Sequence, residues 1–279
     1  MKWRRLPGGG RIEDRRGQGG LGAGMPIGVG GGGLGLIVLI AFILLTGGLP
    51  GGGDGGGGPL DAFPQATNTG TVQQTEEEAT LAEFSKAVYS DVDSTWAGLF
   101  KRGDRQYRQP TLVLFTGGTN SACGGASAAV GPHYCPGDEK VYLDLAFFKD
   151  LRDRFGAPGD FAQAYVIAHE VGHHVQNVLG VMERVENRED SIRLELQADC
   201  LAGVWAYTAE QRGLLEPGDT QEGLAAAAAV GDDRIQQKTS GRIDPESWTH
   251  GSSEQRMKWF TRGMRDGDPG ACDTFSGEL

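Results

Sequence analysis

Between Gly17 and Gly53 the chain carries no charged residue, and no other feature restricts so severely what it can fold into. The run contains IGVGGGGLGLIVLIAFILLT, Ile27 to Thr46, whose 20 residues match the length that crosses a bilayer as a helix. Lys2, Arg4, Arg5, Arg11, Arg15 and Arg16 stand ahead of it, and such a basic flank is usually kept in the cytoplasm. The sequence therefore predicts one transmembrane helix over 27–46, a cytoplasmic N-terminus over 1–26, and everything after Thr46 in the periplasm or otherwise outside the cytoplasm. No A-x-A-like cleavage site follows the apolar run, which favours a retained anchor over a cleaved signal peptide. The spacings Gly28/Gly32 and Gly31/Gly35 permit two anchors to pack into a homo-oligomer, although in so glycine-rich a run they also arise incidentally.

The same run displaces the core toward the C-terminus, because 23 of the 47 glycines lie in the first 58 residues. Residues 47–70, rich in Gly and Pro, read as a flexible linker, and 71–279 as a single body large enough for one core. Charge divides in step: residues 1–53 hold six Lys/Arg against Glu13 and Asp14, a net +4, while 54–279 hold 20 against 35, a net −15. An acidic body lacks the clustered cations that bind phosphate backbones, so nucleic acid is excluded as a partner. Cys123, Cys135, Cys200 and Cys272 all follow the anchor, an even number that predicts two disulfides with three possible pairings.

Within the body, apolar residues recur at helical spacing after Thr75 and three glutamates: Leu81, Phe84, Val88, Val92, Trp96 and Phe100. TLVLF (111–115) and KVYLDLAFF (140–148) are β-favouring runs, and the second reads as a core strand rather than as an edge that aligns a substrate. Helices are predicted over 160–179, 190–212, 220–237 and 252–265, the last with a capping box of Ser252 and Gln255. Strands first and helices afterwards give an α+β domain with a small sheet and a mostly helical C-terminal part.

The stretch AYVIAHEVGHHVQ carries the chemistry. On a helix His169 and His173 are i and i+4, so their imidazoles share a face and can grip one zinc ion. Glu170 lies about 100° round, out of ligand position but able to take a proton from a water on the metal. Phe161, Ala164, Ala168, Val171 and Val175 make the helix apolar on its other faces, and a buried cluster of imidazoles and a carboxylate is costly without a cation. His174, on the far side of Glu170, reads as structural. A catalytic zinc takes three protein ligands and keeps an open position. Glu195 and Asp199 in RLELQADC, again i and i+4 and 22 and 26 residues after His173, are both candidates. Spacing alone does not decide between them.

HEVGHHVQ followed by LELQADCLAGVWA resembles the gluzincin order of HExxH and then E-x-x-x-D. The chain is also similar nearly throughout to the putative neutral zinc metallopeptidase family of bacterial membrane-anchored proteins, the YpfJ-like group. The similarity is carried by MKWRRLPGGGRIEDRRG, CGGASAAVGPHYCPGDEKVYLD, VGDDRIQ and HGSSEQRMKWFTRGMRDGDPGACDTF. This resemblance implies a zincin-like domain holding one Zn²⁺ on His169, His173 and Glu195. It implies Glu170 as general base and Asp199 behind the ligands, orienting a histidine. It also implies disulfides Cys123–Cys135 and Cys200–Cys272. His133 departs from the pattern, standing where an aromatic is expected.

An oxyanion needs a further donor besides zinc. His250, in the polar stretch HGSSEQR ahead of a helix, is chosen over Tyr165, Tyr207 and Tyr134. The resulting expectation is a membrane-tethered zinc metallopeptidase acting on a peptide or protein substrate. The alternative is a non-catalytic membrane-anchored zinc scaffold or partner-binding module. Glu170 discriminates, since a structural zinc site has no use for an unliganded carboxylate beside it.

Overall fold

The long helix α1, Glu76–Arg102, begins where Thr75 and Glu78 exchange a reciprocal capping box, which satisfies backbone N–H groups that have no partner within the helix. It buries Phe84, Val88, Val92 and Trp96, the face expected from their spacing. This computed structural model describes residues 1–6, 8–17, 75–127, 131–277 and 279. Its main sheet is built from β1 (Arg11–Asp14), β2 (Thr111–Phe115), β5 (His133–Cys135) and β6 (Lys140–Asp144), in the order β1-β2-β6-β5. The β1–β2 and β2–β6 pairs are parallel, and β5 runs antiparallel to β6. KVYLD is thus an inner strand, and its partner TLVLF is nearly all buried. A separate hairpin, β3 (Gly118–Ser121) and β4 (Gly124–Ser127), is tied at its turn to β5 by the Cys123–Cys135 disulfide.

The strand expected over 140–148 stops at Asp144. That carboxylate accepts the N–H of Ala146 at 2.9 Å and of Gly117 at 3.1 Å, which turns the chain into helix α2, Ala146–Asp153. The metal-motif helix follows as α3, Asp160–Val178, and then α4, Arg188–Gln211, capped by Asn187. The single helix expected over 220–237 is two, α5 (Asp219–Ala229) and α6 (Asp232–Thr239). The ladder ends because side chains from the last helix, α7 (Ser253–Asp266), take its final carbonyls: Ser253 Oγ donates to Ala228 at 2.7 Å and Arg256 to Val230 at 3.2 Å. The capping box of Ser252 and Gln255 is present on α7.

The expected transmembrane topology needs correction. Arg11–Asp14 pairs in register with Thr111–Leu114, and Trp3 meets Phe84 of α1 edge-on with ring centroids 5.7 Å apart. A single membrane crossing between them would put the N-terminal segment and the body on opposite sides of a bilayer, where a backbone ladder cannot form. Among the described residues no helix is long and apolar enough to cross a membrane. The run 27–46, with its glycine spacings, and the linker 47–70 lie outside the described residues. The expectation of a single-pass protein with an extracytoplasmic body is therefore withdrawn.

Candidate metal centre

Helices α3 and α4 cross where Gly172 faces Ala198. A Cβ on Gly172 would sit 3.1 Å from the Ala198 carbonyl oxygen, so the glycine within HEVGH lets the backbones approach closely enough to share ligands. Stacking of Phe161 on Trp205, with centroids 5.8 Å apart, reinforces the crossing. Across it, His169 Nε2 lies 3.2 Å from His173 Nε2 and 3.3 Å from Glu195 Oε2, and His173 Nε2 lies 3.5 Å from Glu195 Oε1. All three side chains are buried.

The outer nitrogens determine what the inner ones can do. His169 Nδ1 is 2.8 Å from Asp199 Oδ1 and His173 Nδ1 is 2.8 Å from Gln176 Oε1. Both partners are acceptors, so each ring in its neutral form carries its proton on Nδ1 and presents a lone pair at Nε2. In the neutral rings, two lone pairs and a carboxylate therefore converge, and Glu195 Oε2 is a buried oxygen without a hydrogen bond. Such a donor set is costly to bury bare and fits a cation with a preference for nitrogen and oxygen ligands. The electrostatics agree. Burial opposes protonation of His169, yet the Asp199 and Glu195 carboxylates outweigh it and hold the metal-free imidazole up to about 9. Burial likewise raises the Glu195 carboxyl, but His173 and His169 bring it well below the usual range. A field that attracts a proton this strongly attracts a metal in its place.

Asp199 is fully committed elsewhere. Besides His169 it accepts from the Tyr165 hydroxyl, from Arg256 Nε at 2.8 Å and from Arg256 Nη2 at 2.9 Å. Arg256 is buried, and its guanidinium lies 4.0 Å from Glu195 Oε2, beyond hydrogen-bond reach. The α4–α7 contact that brings it there is nearly backbone against backbone: a Cβ on Gly263 would fall 1.9 Å from the Cys200 carbonyl oxygen. The second disulfide, Cys200–Cys272, ties α4 to the C-terminal turn Pro269–Cys272 beside this contact. Both disulfides are those implied by the resemblance.

Glu170 is 4 % exposed. Among the described residues its carboxylate forms no hydrogen bond or ion pair, unlike Glu195 and Asp199, so it stays available to a guest. His250 is buried against Asp232, which accepts its backbone N–H at 2.7 Å and its Nδ1–H at 2.9 Å. It contributes, after His173 and His169, to lowering the Glu195 carboxyl. Of the alternatives to His250, Tyr165 is engaged by Asp199, and the Tyr134 hydroxyl by His174 at 3.0 Å and Asn177 at 2.9 Å. His174 points away from the cluster toward Tyr134 and the Arg108 carbonyl. His133 stacks on Tyr142 with ring centroids 5.0 Å apart.

Sequence reasoning did not single out Arg256, Asp232 or Gln176 as members of the site. Two of them lie in stretches quoted for the resemblance, HGSSEQR and VGDDRIQ, and Gln176 closes HEVGHHVQ. None has metal-ligand spacing, so no local pattern marks them.

A sequence profile of the family described as "Putative neutral zinc metallopeptidase" matches residues 1–275. The chain belongs to this family. It is 42% identical over 294 residues to the uncharacterized protein YpfJ of Escherichia coli K12, covering 99% of each chain. It is 52% identical over 206 residues to the uncharacterized protein Rv2575 of Mycobacterium tuberculosis H37Rv, covering 68% of this chain and 69% of that one. No solved structure gives a significant match. Family membership implies zinc, and His169, His173 and Glu195 are a group able to hold a metal ion, with ligand atoms all within 4.8 Å of one another.

Proposed function

We propose that the chain is a zinc-dependent peptidase that hydrolyses peptide bonds, with His169, His173 and Glu195 as metal ligands and Glu170 as general base. The observation that carries this reading is Glu170, a carboxylate at the ligand helix that neither the fold nor the ligand set employs. A zinc ion held by His169, His173 and Glu195 would supply Lewis acidity, polarising a substrate carbonyl and lowering the pKa of a water toward 7. Glu170 then takes a proton from the attacking water and returns it to the amine nitrogen as the C–N bond breaks. Asp199, clamped by Arg256 and Tyr165, keeps the proton of His169 on Nδ1. Asp232 plays the same part for His250, whose protonated ring would offer Nε2–H to the oxyanion of the tetrahedral intermediate.

Replacing Glu170 by Gln keeps its size and removes its basicity. The Glu170→Gln protein should bind zinc as the wild type does while hydrolysing a peptide library at least ~10²-fold more slowly, as expected for loss of a general base. Unchanged turnover with zinc retained would instead favour a zinc-stabilised scaffold.

A further inference from the structure

The two histidines are backed by different chemistry. His169 has a carboxylate behind it, whereas His173 has a neutral amide, Gln176 Oε1 at 2.8 Å. The Gln176 amide nitrogen donates to the Leu194 carbonyl at 2.7 Å and to Gln197 Oε1 at 3.0 Å. Gln197 Nε2 in turn donates to the Cys272 carbonyl at 2.9 Å. Cys272 is held to α4 through its disulfide with Cys200. Arg193 and Thr274 lace the same turn to α4, with Arg193 Nη1 on the Thr274 carbonyl and Thr274 Oγ1 on the Arg193 carbonyl.

Every group in this row has only one workable orientation. A flipped Gln176 would turn its oxygen toward two other acceptors, and a flipped Gln197 would face the Cys272 carbonyl with an oxygen. A backbone carbonyl cannot flip or titrate, so it fixes the direction of donation along the row: Gln197 to Cys272, Gln176 to Gln197, His173 to Gln176. Its last member is the imidazole whose other nitrogen faces His169 and Glu195.

We infer that Gln176 and Gln197 are positioning residues of the metal centre, forming a relay from the disulfide-anchored C-terminal turn that sets the tautomer and ring plane of His173. The inference rests on the reading of His173 as a metal ligand. Its consequence is that zinc affinity depends on Gln197, which touches no ligand itself, and through it on the C-terminal turn.

The test is zinc affinity of the full chain, by competition with a chromogenic chelator, for Gln176→Leu, Gln197→Leu and the double variant. Gln176→Leu should weaken zinc about 10 to 100-fold, the usual penalty for losing the partner of a ligand histidine. Gln197→Leu should weaken it about 3-fold or more. Because the two act in series, the double variant should be no weaker than Gln176→Leu by more than about 2-fold. The absorption spectrum of the cobalt(II)-loaded protein should shift in Gln197→Leu, since it reports the angles of the ligands. If Gln197→Leu unfolds, Gln197→Met keeps the side-chain length and takes its place. Unchanged affinity and cobalt spectrum on losing Gln197, or losses that simply add in the double variant, would overturn the relay. His173→Leu separates the two claims: if that protein still binds zinc at full affinity, it is the ligand assignment that fails, whatever the glutamines do.

Discussion

Glu195 and Asp199 stand one turn apart on the same face of α4, and their surroundings give them different work. Both oxygens of Asp199 are occupied, by His169 and Tyr165 on one side and Arg256 on the other, whereas Glu195 Oε2 has no hydrogen bond. An oxygen already accepting from a guanidinium has little to offer a cation, so Glu195 is the stronger candidate for third ligand. Glu195→Gln should largely abolish zinc binding, and Asp199→Asn should weaken affinity by roughly 10 to 100-fold. Measuring both variants side by side decides it. The reverse ranking, with Glu195→Gln keeping the metal and Asp199→Asn losing it, would falsify the assignment.

The candidate ligands meet only because two helices pass at a short distance. Ala198 occupies the space that a side chain on Gly172 would need, with its carbonyl oxygen 3.1 Å and its Cα 3.3 Å from the missing Cβ. Backbone at that distance cannot swing aside as the end of a flexible side chain can. Gly172→Val should therefore push α3 and α4 apart, at a cost of about 1–3 kcal/mol in overall stability. Because the motion separates His169 and His173 from Glu195, zinc affinity should fall as well, by at least about 10-fold. Equilibrium unfolding of the metal-free protein and zinc titration measure the two effects separately. Loss of stability with unchanged zinc affinity would mean that the crossing does not set the ligand distances.

At the scale of the whole molecule, the helical half closes on itself through Cys200–Cys272, which spans 72 residues of sequence and encloses α5, α6 and α7. Restricting the unfolded chain over a loop of that length should stabilise the fold by about 2–5 kcal/mol. The double variant Cys200→Ser/Cys272→Ser should show this as a lower midpoint in denaturant while the sheet retains its Cys123–Cys135 bond. A midpoint within error of wild type would show that Arg193, Thr274 and the α4–α7 packing suffice without the covalent tie. The N-terminal segment closes the sheet in its turn, since β1 covers an edge of β2 that would otherwise be exposed to pairing with another chain.

Much of this was legible in the sequence because it is local. Helical periodicity placed α1, α3, α4 and α7, and Thr75 with its three glutamates and the capping box at Ser252 marked two starts, since both signals act within a turn or two of the chain. The i, i+4 spacing put His169 with His173, and Glu195 with Asp199, each on one helix face. What the sequence could not decide depends on contacts between distant segments. The break between α5 and α6 is made by side chains of α7. The strand ending at Asp144 is stopped in part by a backbone group 27 residues earlier. The choice between Glu195 and Asp199 turns on Arg256, 57 residues beyond Asp199. The topology was misjudged for the same reason: charge and hydropathy around 27–46 describe a segment alone, whereas the pairing of Arg11–Asp14 with Thr111–Leu114 is a property of two strands brought together by folding. Local spacing determines which side chains share a face, and only tertiary packing determines what that face meets.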